Sequence, residues 1–137
     1  MKYLTVIEVK THQSIEFVDI TAEVKRFVAD SGVQEGIILV YTPHTTAGIT
    51  INENADPAVM ADIRHFIRRL VPQESYFTHM EGNSPSHIMS SFVGASETLI
   101  IDGGRLVLGT WQGIYFGEFD GPRTRKAYLK IIPQEHS

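Results

Sequence analysis

The chain has 137 residues, 42% hydrophobic and 20% charged, values typical of one globular domain with its own core. Its net charge of −4 lacks the basic excess that binding to a phosphate backbone requires, so nucleic acid is not an expected partner. The absence of cysteine excludes disulfides, zinc-thiolate sites and thiol catalysis. No segment predicts a signal peptide or a membrane span, and we expect a cytoplasmic protein without a membrane partner.

The first half of the chain predicts strands and two helices. Alternating or continuous apolar residues mark strands at residues 3–9, 14–18, 36–41 and 47–53. The first two are expected to form a hairpin, and a turn containing His44 could join the other two as a second hairpin. Thr21 is expected to cap a short helix, and Asp56 to cap a longer amphipathic helix that runs to Leu70.

The second half predicts a long connection, a short helix and further strands. Residues 71–85 form the connection, and Ser84 with the following proline predicts a helix through Phe92. Strands are expected at residues 98–101, 105–108, 113–119 and 125–132. Strands outnumber helices and follow one another through tight turns. We therefore expect an α+β fold, with a mainly antiparallel sheet or sandwich core and two to three helices packed on it, in a single domain over residues 1–137.

Polar side chains are concentrated in three segments, the first at residues 41–57. There, His44 precedes Thr45 and Thr46 in a turn, a grouping that can hold a phosphate or a metal ion. The structural alternative is a solvated turn histidine followed by two strand-forming threonines. The far end of the next strand carries a further polar group, of which only the last member has a clear structural role as a cap: Asn52, Glu53, Asn54 and Asp56.

The second segment is HMEGNSPSHI, residues 79–88. Ser84 is expected to cap the helix, which places His87 in the first turn, where free backbone N–H groups attract anions. An anion or metal site fits this arrangement. The spacing of His79 and His87 matches no zinc motif, so a metal would need a distant ligand such as His44. The structural alternative is a capped helix with a surface histidine on each side. The remaining histidines are expected on the surface: His12, His65 and His136.

The third segment, residues 109–126, contains a glutamate on the apolar face of a predicted strand. Glu118 shares that face with large apolar residues, so its carboxylate needs a partner. Arg123 or Arg125 could form a buried ion pair with it, and a role in a functional site is the alternative. Trp111 and Gln112 could line a pocket for a flat ligand, although a single tryptophan more often belongs to a core or an interface.

Three blocks, HTTAGITINENADP, HMEGNSPSHI and LGTWQGIYFGEFDGPRTRK, resemble the signature segments of the YjbQ family, also described as secondary thiamine-phosphate synthases, and the resemblance covers nearly the whole chain. It implies a compact α+β fold, a homotrimer and pockets near subunit boundaries. It also implies a thiamine-phosphate synthase activity, secondary within the family, that joins a pyrimidine diphosphate to a thiazole phosphate with loss of pyrophosphate. The block residues that carry over are His44, Thr45, Thr46, Asn52, Glu53, Asp56, His79, Glu81, Asn83, Ser84, His87, Gln112 and Glu118.

The resemblance and the residue chemistry together suggest roles for these side chains. We expect His44, His79 and His87 to surround a divalent metal ion or the diphosphate, and Glu53 or Glu118 to serve as a carboxylate ligand or base. Residues expected to bind the substrate or its phosphate are Thr45, Thr46, Asn52, Asn83, Ser84 and Gln112.

The identity of the metal and of the reaction stays open at this point. Three imidazoles favour zinc, copper, nickel or iron(II), whereas a diphosphate reaction is expected to use Mg²⁺. Either the histidines bind phosphate directly or the reaction is a different one. Two alternatives are a hydrolase in which a histidine-bound metal activates water, and a non-catalytic trimer that binds a small phosphorylated metabolite.

Overall fold

A computed structural model of the chain describes residues 3–135, so His136 and the outermost residues of the 1–137 domain lie outside the described part. The helices are α1 (Thr21–Ser31), α2 (Pro57–Leu70) and α3 (Ser84–Val93). The strands are β1 (Leu4–Lys10), β2 (Glu16–Asp19), β3 (Glu35–Tyr41), β4 (Ala47–Glu53), β5 (Ser96–Asp102), β6 (Arg105–Leu106), β7 (Gln112–Glu118) and β8 (Thr124–Pro133). All strand pairs between these elements are antiparallel, which confirms the α+β prediction. No helix within the described range is both long and apolar enough to cross a membrane.

The strands form two sheets that pack face to face. Sheet A has the order β1-β8-β3-β5-β6, and sheet B has the order β2-β7-β4. Alternate residues of each strand point into the space between the sheets, where Ile38 of β3, Ile49 of β4 and Phe116 of β7 are fully buried. Each such side chain contributes about 1.5–3 kcal/mol through burial, so this layer is the main source of stability.

Neither of the two predicted hairpins forms. β1 pairs with β8, β2 pairs with β7, and β3 and β4 belong to different sheets. Both connections therefore cross from sheet A to sheet B. Alternation identifies the buried face of a strand but not its partner, and β1 finds a partner along all seven of its residues in β8, whereas β2 has only four residues. The predicted turn histidine therefore lies in residues 42–46, which cross from the central strand β3 of sheet A to the edge strand β4 of sheet B.

The two predicted helix caps differ in outcome. Asp56 is the N-cap of α2 and accepts a hydrogen bond from the backbone N–H of Ala58 at 2.9 Å, as expected. Thr21 is not a cap, because it is the first helical residue and follows Ile20 in the N-cap position. Its hydroxyl instead accepts from the backbone N–H of Ile114 at 2.8 Å, which ties α1 to β7.

The outer face of sheet B is covered by α2 and α3. Ile67 of α2 and Met89 of α3 form a second small core with Phe119, at the end of β7. Gly48 of β4 permits this close packing, because a Cβ atom there would lie 2.8 Å from Cγ1 of Val93 and 2.9 Å from a backbone oxygen. The β4 and α3 backbones are therefore in direct contact, which fixes α3 relative to the crossing segment.

The outer face of sheet A carries a group of exposed apolar residues. Ile37 lies opposite Ile100 on one side and Ile132 on the other, and these three side chains are 38%, 58% and 51% exposed. We call them the isoleucine row. Residues around the row also line a surface depression of about 580 Å³. Contiguous exposed apolar residues of this kind mark surfaces that bind another molecule.

Candidate functional site

The crossing segment, residues 42–46, is anchored by a buried ion pair between the two sheets. Arg125 of β8 donates from Nε to Oε1 of Glu118 on β7 at 2.9 Å and makes a second bond from Nη2 to Oε2. The same Nη2 donates to the hydroxyl of Thr46 at 2.8 Å and to its carbonyl at 3.2 Å. Arg123, the other partner that the sequence suggested, pairs with Asp120 instead. One guanidinium thus holds both sheets and the crossing segment together.

Glu118 takes part in this network as a structural carboxylate. Its remaining bonds come from the hydroxyl of Thr11 at 2.8 Å and the backbone N–H of Asp120 at 3.0 Å. Burial alone would raise the pKa of Glu118, but the hydrogen bonds from Arg125, Asp120 and Thr11 outweigh burial and hold the pKa below its usual value. The carboxylate is 0% exposed with both oxygens bonded, so it has no free position for a substrate and we assign it to the ion pair.

His44 is held in one tautomer by the backbone of β8. Its Nε2 accepts a hydrogen bond from the N–H of Lys126 at 3.0 Å. A neutral imidazole has one acceptor and one donor nitrogen, so Nδ1 carries the proton and can donate it to a ligand. Partial burial, followed by the charge of Arg125, lowers the pKa of His44; Glu118 acts against them, and Arg123 and Lys126 lower it further. In this state His44 is an N–H donor and has no free lone pair for a metal ion.

His44 opens into a cavity of about 630 Å³ between the crossing segment and α3. Side chains that line it and carry donors or acceptors are Tyr41, Thr42, His44, Thr45, His87, Ser90 and Ser91. Sequence reasoning missed the two serines. Their spacing from His87, three and four positions along α3, would have placed all three on one helix face. Thr46 itself points into the buried network rather than into the cavity.

A second pocket of about 360 Å³ adjoins the first, with His87 as the shared wall. His79 and Ser84 also line it, together with the aromatic rings of Tyr76 and Phe77. The rings of His79 and His87 lie edge to face, with centres 5.0 Å apart. Within residues 3–135, no group of three or more His, Asp or Glu side chains is arranged to hold a metal ion. The predicted trio of histidines therefore does not surround one point in the single chain.

The entrance of α3 differs in detail from the prediction. Ser84 is the first helical residue and Asn83 occupies the N-cap position, without a side-chain capping bond. Asn83 instead donates from Nδ2 to Asp120 at 2.9 Å, while its Oδ1 is buried without a hydrogen-bond partner among the described residues. Asn83 thus joins the helix entrance to the loop after β7. Glu81 is exposed in the preceding turn.

The remaining predicted site residues lie at the opposite end of sheet B. Along the β4–β7 pair, Ala47 faces Glu118 at one end, and Glu53 faces Gln112 at the other. That separation is six residues, or about 20 Å. The side chains there make local bonds: Asn52 accepts from the N–H of Glu53, Glu53 from the N–H of Asp56, and Gln112 from the N–H of Gly109. Trp111, next to this group, is 62% exposed and belongs to no core. The structure therefore separates Asn52, Glu53 and Gln112 from the histidines.

The fold and the site define a class of protein: a two-sheet antiparallel α+β sandwich with a polar cavity where the chain crosses between its sheets. This chain belongs to the family described as UPF0047 protein YjbQ-like, which it matches over residues 5–134. The family prediction is thus confirmed.

Relatives resemble the chain along almost their whole length. It is 54% identical to a UPF0047 protein of Methanocaldococcus jannaschii, covering 96% of each chain, and 52% identical to the UPF0047 protein YugU of Bacillus subtilis, covering 94% of this chain and 98% of that one. A crystal structure of a YjbQ/UPF0047 family protein from Clostridium acetobutylicum superposes with a TM-score of 0.90 at 52% identity, covering 93% of this chain and 99% of that chain. A YbjQ-like protein of unknown function from Sulfolobus solfataricus gives 0.92 at 35% identity, covering 96% and 97%.

Proposed function

We propose that the chain binds the phosphate of a small phosphorylated metabolite in the cavity between His44 and His87. The observation that carries this proposal is the tautomer of His44. Its Nε2 accepts from the backbone of Lys126, so the nitrogen left for a ligand is an N–H donor that remains neutral as the pH falls toward the ordinary histidine pKa. An oxyanion accepts such a bond, whereas a metal ion cannot.

The surroundings of His44 support an anionic ligand. Thr45 contributes a hydroxyl to the same cavity, whereas the hydroxyls of Ser90 and Ser91 already donate to the carbonyls of Ala47 and His87. The charges of Arg125, Arg123 and Lys126 lower the pKa of His44 against the opposing charge of Glu118, so cationic groups lie near the cavity although the whole chain carries −4. A cavity of about 630 Å³ is within the usual size for a small-molecule ligand.

The finer proposal is thiamine-phosphate synthesis, in which a pyrimidine diphosphate is joined to a thiazole phosphate and pyrophosphate leaves. It follows from the family resemblance and from the donors described above. The N–H of His44 and the hydroxyl of Thr45 would stabilise the negative charge that collects on the leaving pyrophosphate. Mg²⁺ prefers phosphate oxygens and water, so it would enter with the diphosphate and needs no histidine ligand.

The structure gives the hydrolase alternative less support. A hydrolytic water needs a base close to the histidines. Glu118 is fully buried with both oxygens bonded, and Glu53 lies at the other end of β4. The non-catalytic binder shares the proposed phosphate site and differs only in the absence of turnover.

Calorimetric titration with pyrophosphate and Mg²⁺ tests the phosphate site. An assay of thiamine-phosphate formation then tests the synthase activity. His44→Ala should weaken pyrophosphate binding by at least about tenfold, because a hydrogen bond to a charged group contributes about 1.5–3 kcal/mol. His65→Ala, on the exposed side of α2, is the matched control. Equal binding by the His44 variant would refute the phosphate site. Binding without product formation would refute the synthase and leave a metabolite binder.

We also propose that copies of the chain associate through the isoleucine row, with a homotrimer as the expected assembly. Tyr41 supports this surface, because it is 40% exposed beside the row and also lines the phosphate cavity, so a second copy on this face would lie next to the site. Light scattering after gel filtration should give three times the mass of one chain. Ile100→Lys should release monomers, and a monomeric parent protein would refute the proposal.

A further inference from the structure

The most distinctive feature outside the phosphate cavity is the pair formed by His79 and His87. Their ring centres are 5.0 Å apart and their planes are nearly perpendicular, at 86°. Both rings line the 360 Å³ pocket. Within the described residues, the nitrogens of these two rings make no hydrogen bond, so their lone pairs are available.

This spacing suits a shared metal ion. An imidazole binds zinc at about 2.0–2.1 Å, and two imidazoles on one tetrahedral ion have their ring centres about 5 Å apart. The observed separation therefore needs little adjustment to place one nitrogen from each ring on the same ion. Without a ligand, an edge-to-face pair of rings gains only a small ring–ring attraction.

The backbone fixes the pair before any ligand arrives. A turn between the two residues is closed by a hydrogen bond from the N–H of Gly82 to the carbonyl of His79 at 3.1 Å. Gly82 has a φ of +75°, a conformation that other residues rarely adopt. α3 begins two residues later, and contact with β4 holds it in place, so His87 is attached to a rigid element. Little conformational entropy is lost when such a pair binds an ion.

We propose that His79 and His87 form a two-histidine site for a divalent transition-metal ion of the zinc, copper or nickel class. No third His, Asp or Glu of residues 3–135 joins them, so the other coordination positions are open to water or to an oxygen ligand. His87 is also a wall of the phosphate cavity, so a phosphate oxygen of the bound metabolite is the ligand closest at hand. This last step rests on the proposed phosphate site, whereas the metal site itself does not. His44 takes no part.

Titration of the metal-free chain with Zn²⁺ in phosphate-free buffer tests the inference. We expect one ion per chain and loss of the free imidazole NMR signals of His79 and His87 on binding. His79→Ala and His87→Ala should each weaken Zn²⁺ binding by at least about tenfold, since even the loss of an outer-shell partner costs 10–100-fold. His44→Ala and His65→Ala should bind Zn²⁺ like the parent chain.

Three results would overturn the inference: no binding of Zn²⁺, Cu²⁺ or Ni²⁺ by the parent chain, full binding after removal of either imidazole, or loss of binding in the His44 variant. His87 is half-buried, so His87→Gln provides a second variant if the alanine form is unstable. His79 is exposed, and its alanine variant should keep the parent melting temperature. The titration contains no phosphate ligand, so its failure leaves the pyrophosphate experiment unaffected.

Discussion

Replacing Glu118 by glutamine tests the buried ion pair that anchors the candidate site. The substitution keeps the size of the side chain and removes its charge. Arg125, which is 2% exposed, would then hold a positive charge in the interior without a counter-ion. The hydrogen bonds from Thr11 and Asp120 would meet a neutral amide in place of a carboxylate. The energetic cost therefore arises from the uncompensated guanidinium and from weaker hydrogen bonds.

We expect this substitution to lower the free energy of unfolding by about 3–5 kcal/mol, as for other buried pairs that lose one partner. An unfolding entropy of about 2.1 cal/mol/K per residue gives a 137-residue chain about 0.29 kcal/mol/K. The melting temperature should then fall by about 10–17 °C. Replacing Arg125 as well, by glutamine, removes the unpaired charge, so the double variant should lose less than the sum of the two single losses.

Urea unfolding followed by circular dichroism measures these losses, at one fixed protein concentration because self-association also stabilises the folded chain. Glu8→Gln, an exposed glutamate of β1, is the control and should change stability by less than about 0.5 kcal/mol. The pKa of Glu118 is lowered on folding, so its contribution is complete above the ordinary value of 4.5 and is lost as the pH falls through the folded pKa. A Glu118→Gln loss under 1 kcal/mol at pH 7, or a loss that does not shrink at acid pH, would refute the argument.

Three further predictions concern the site and its support. His44 has a lowered pKa in the folded chain, so it favours folding above pH 6.5 and loses this contribution as the pH falls below 6.5. Urea unfolding of His44→Gln should therefore show a free energy of unfolding that depends less on pH below 6.5. A dependence as steep as that of the parent chain would contradict this. Lys126→Gln keeps the backbone bond to His44 but removes a charge that lowers its pKa. NMR titration should find a higher pKa, and an unchanged one would contradict a charge effect of Lys126 on His44. Gly48→Ala should lower the free energy of unfolding by about 1–3 kcal/mol, because its Cβ would be forced against Val93 and the backbone oxygen of Gly94. Gly109→Ala is the control and should cost little, because its Cβ would meet only the movable side chain of Gln112. Equal melting temperatures of the two variants would disprove the close β4–α3 packing.

Periodicity and caps predict where the elements lie, because both depend on neighbouring residues. Asp56 starts α2 as expected, and the strand predicted at residues 36–41 is present as β3, between β8 and β5. Strand partners could not be predicted in this way. The alternation of β1 fits any strand with a buried face, and its partner β8 is more than a hundred residues away in sequence.

The site was predicted in part. The sequence singled out His44, His79 and His87, and the structure places them around two adjoining cavities. The sequence also suggested Glu53 as a site residue, but the strand register puts Glu53 at the other end of β4. The tautomer of His44 depends on a backbone N–H from β8, a contact 82 positions away that no local pattern reveals.

The order of strands in sheet A also has a consequence for synthesis on the ribosome. β8, the last strand along the described chain, lies between β1 and β3, the first and third. Until β8 emerges, β1 has no partner and one edge of β3 lacks its neighbour, so the nascent chain presents unpaired strand edges for most of its elongation. Long-range pairing of this kind also slows folding. Stalled or truncated chains that lack β8 should therefore be the forms that chaperones bind and proteases remove.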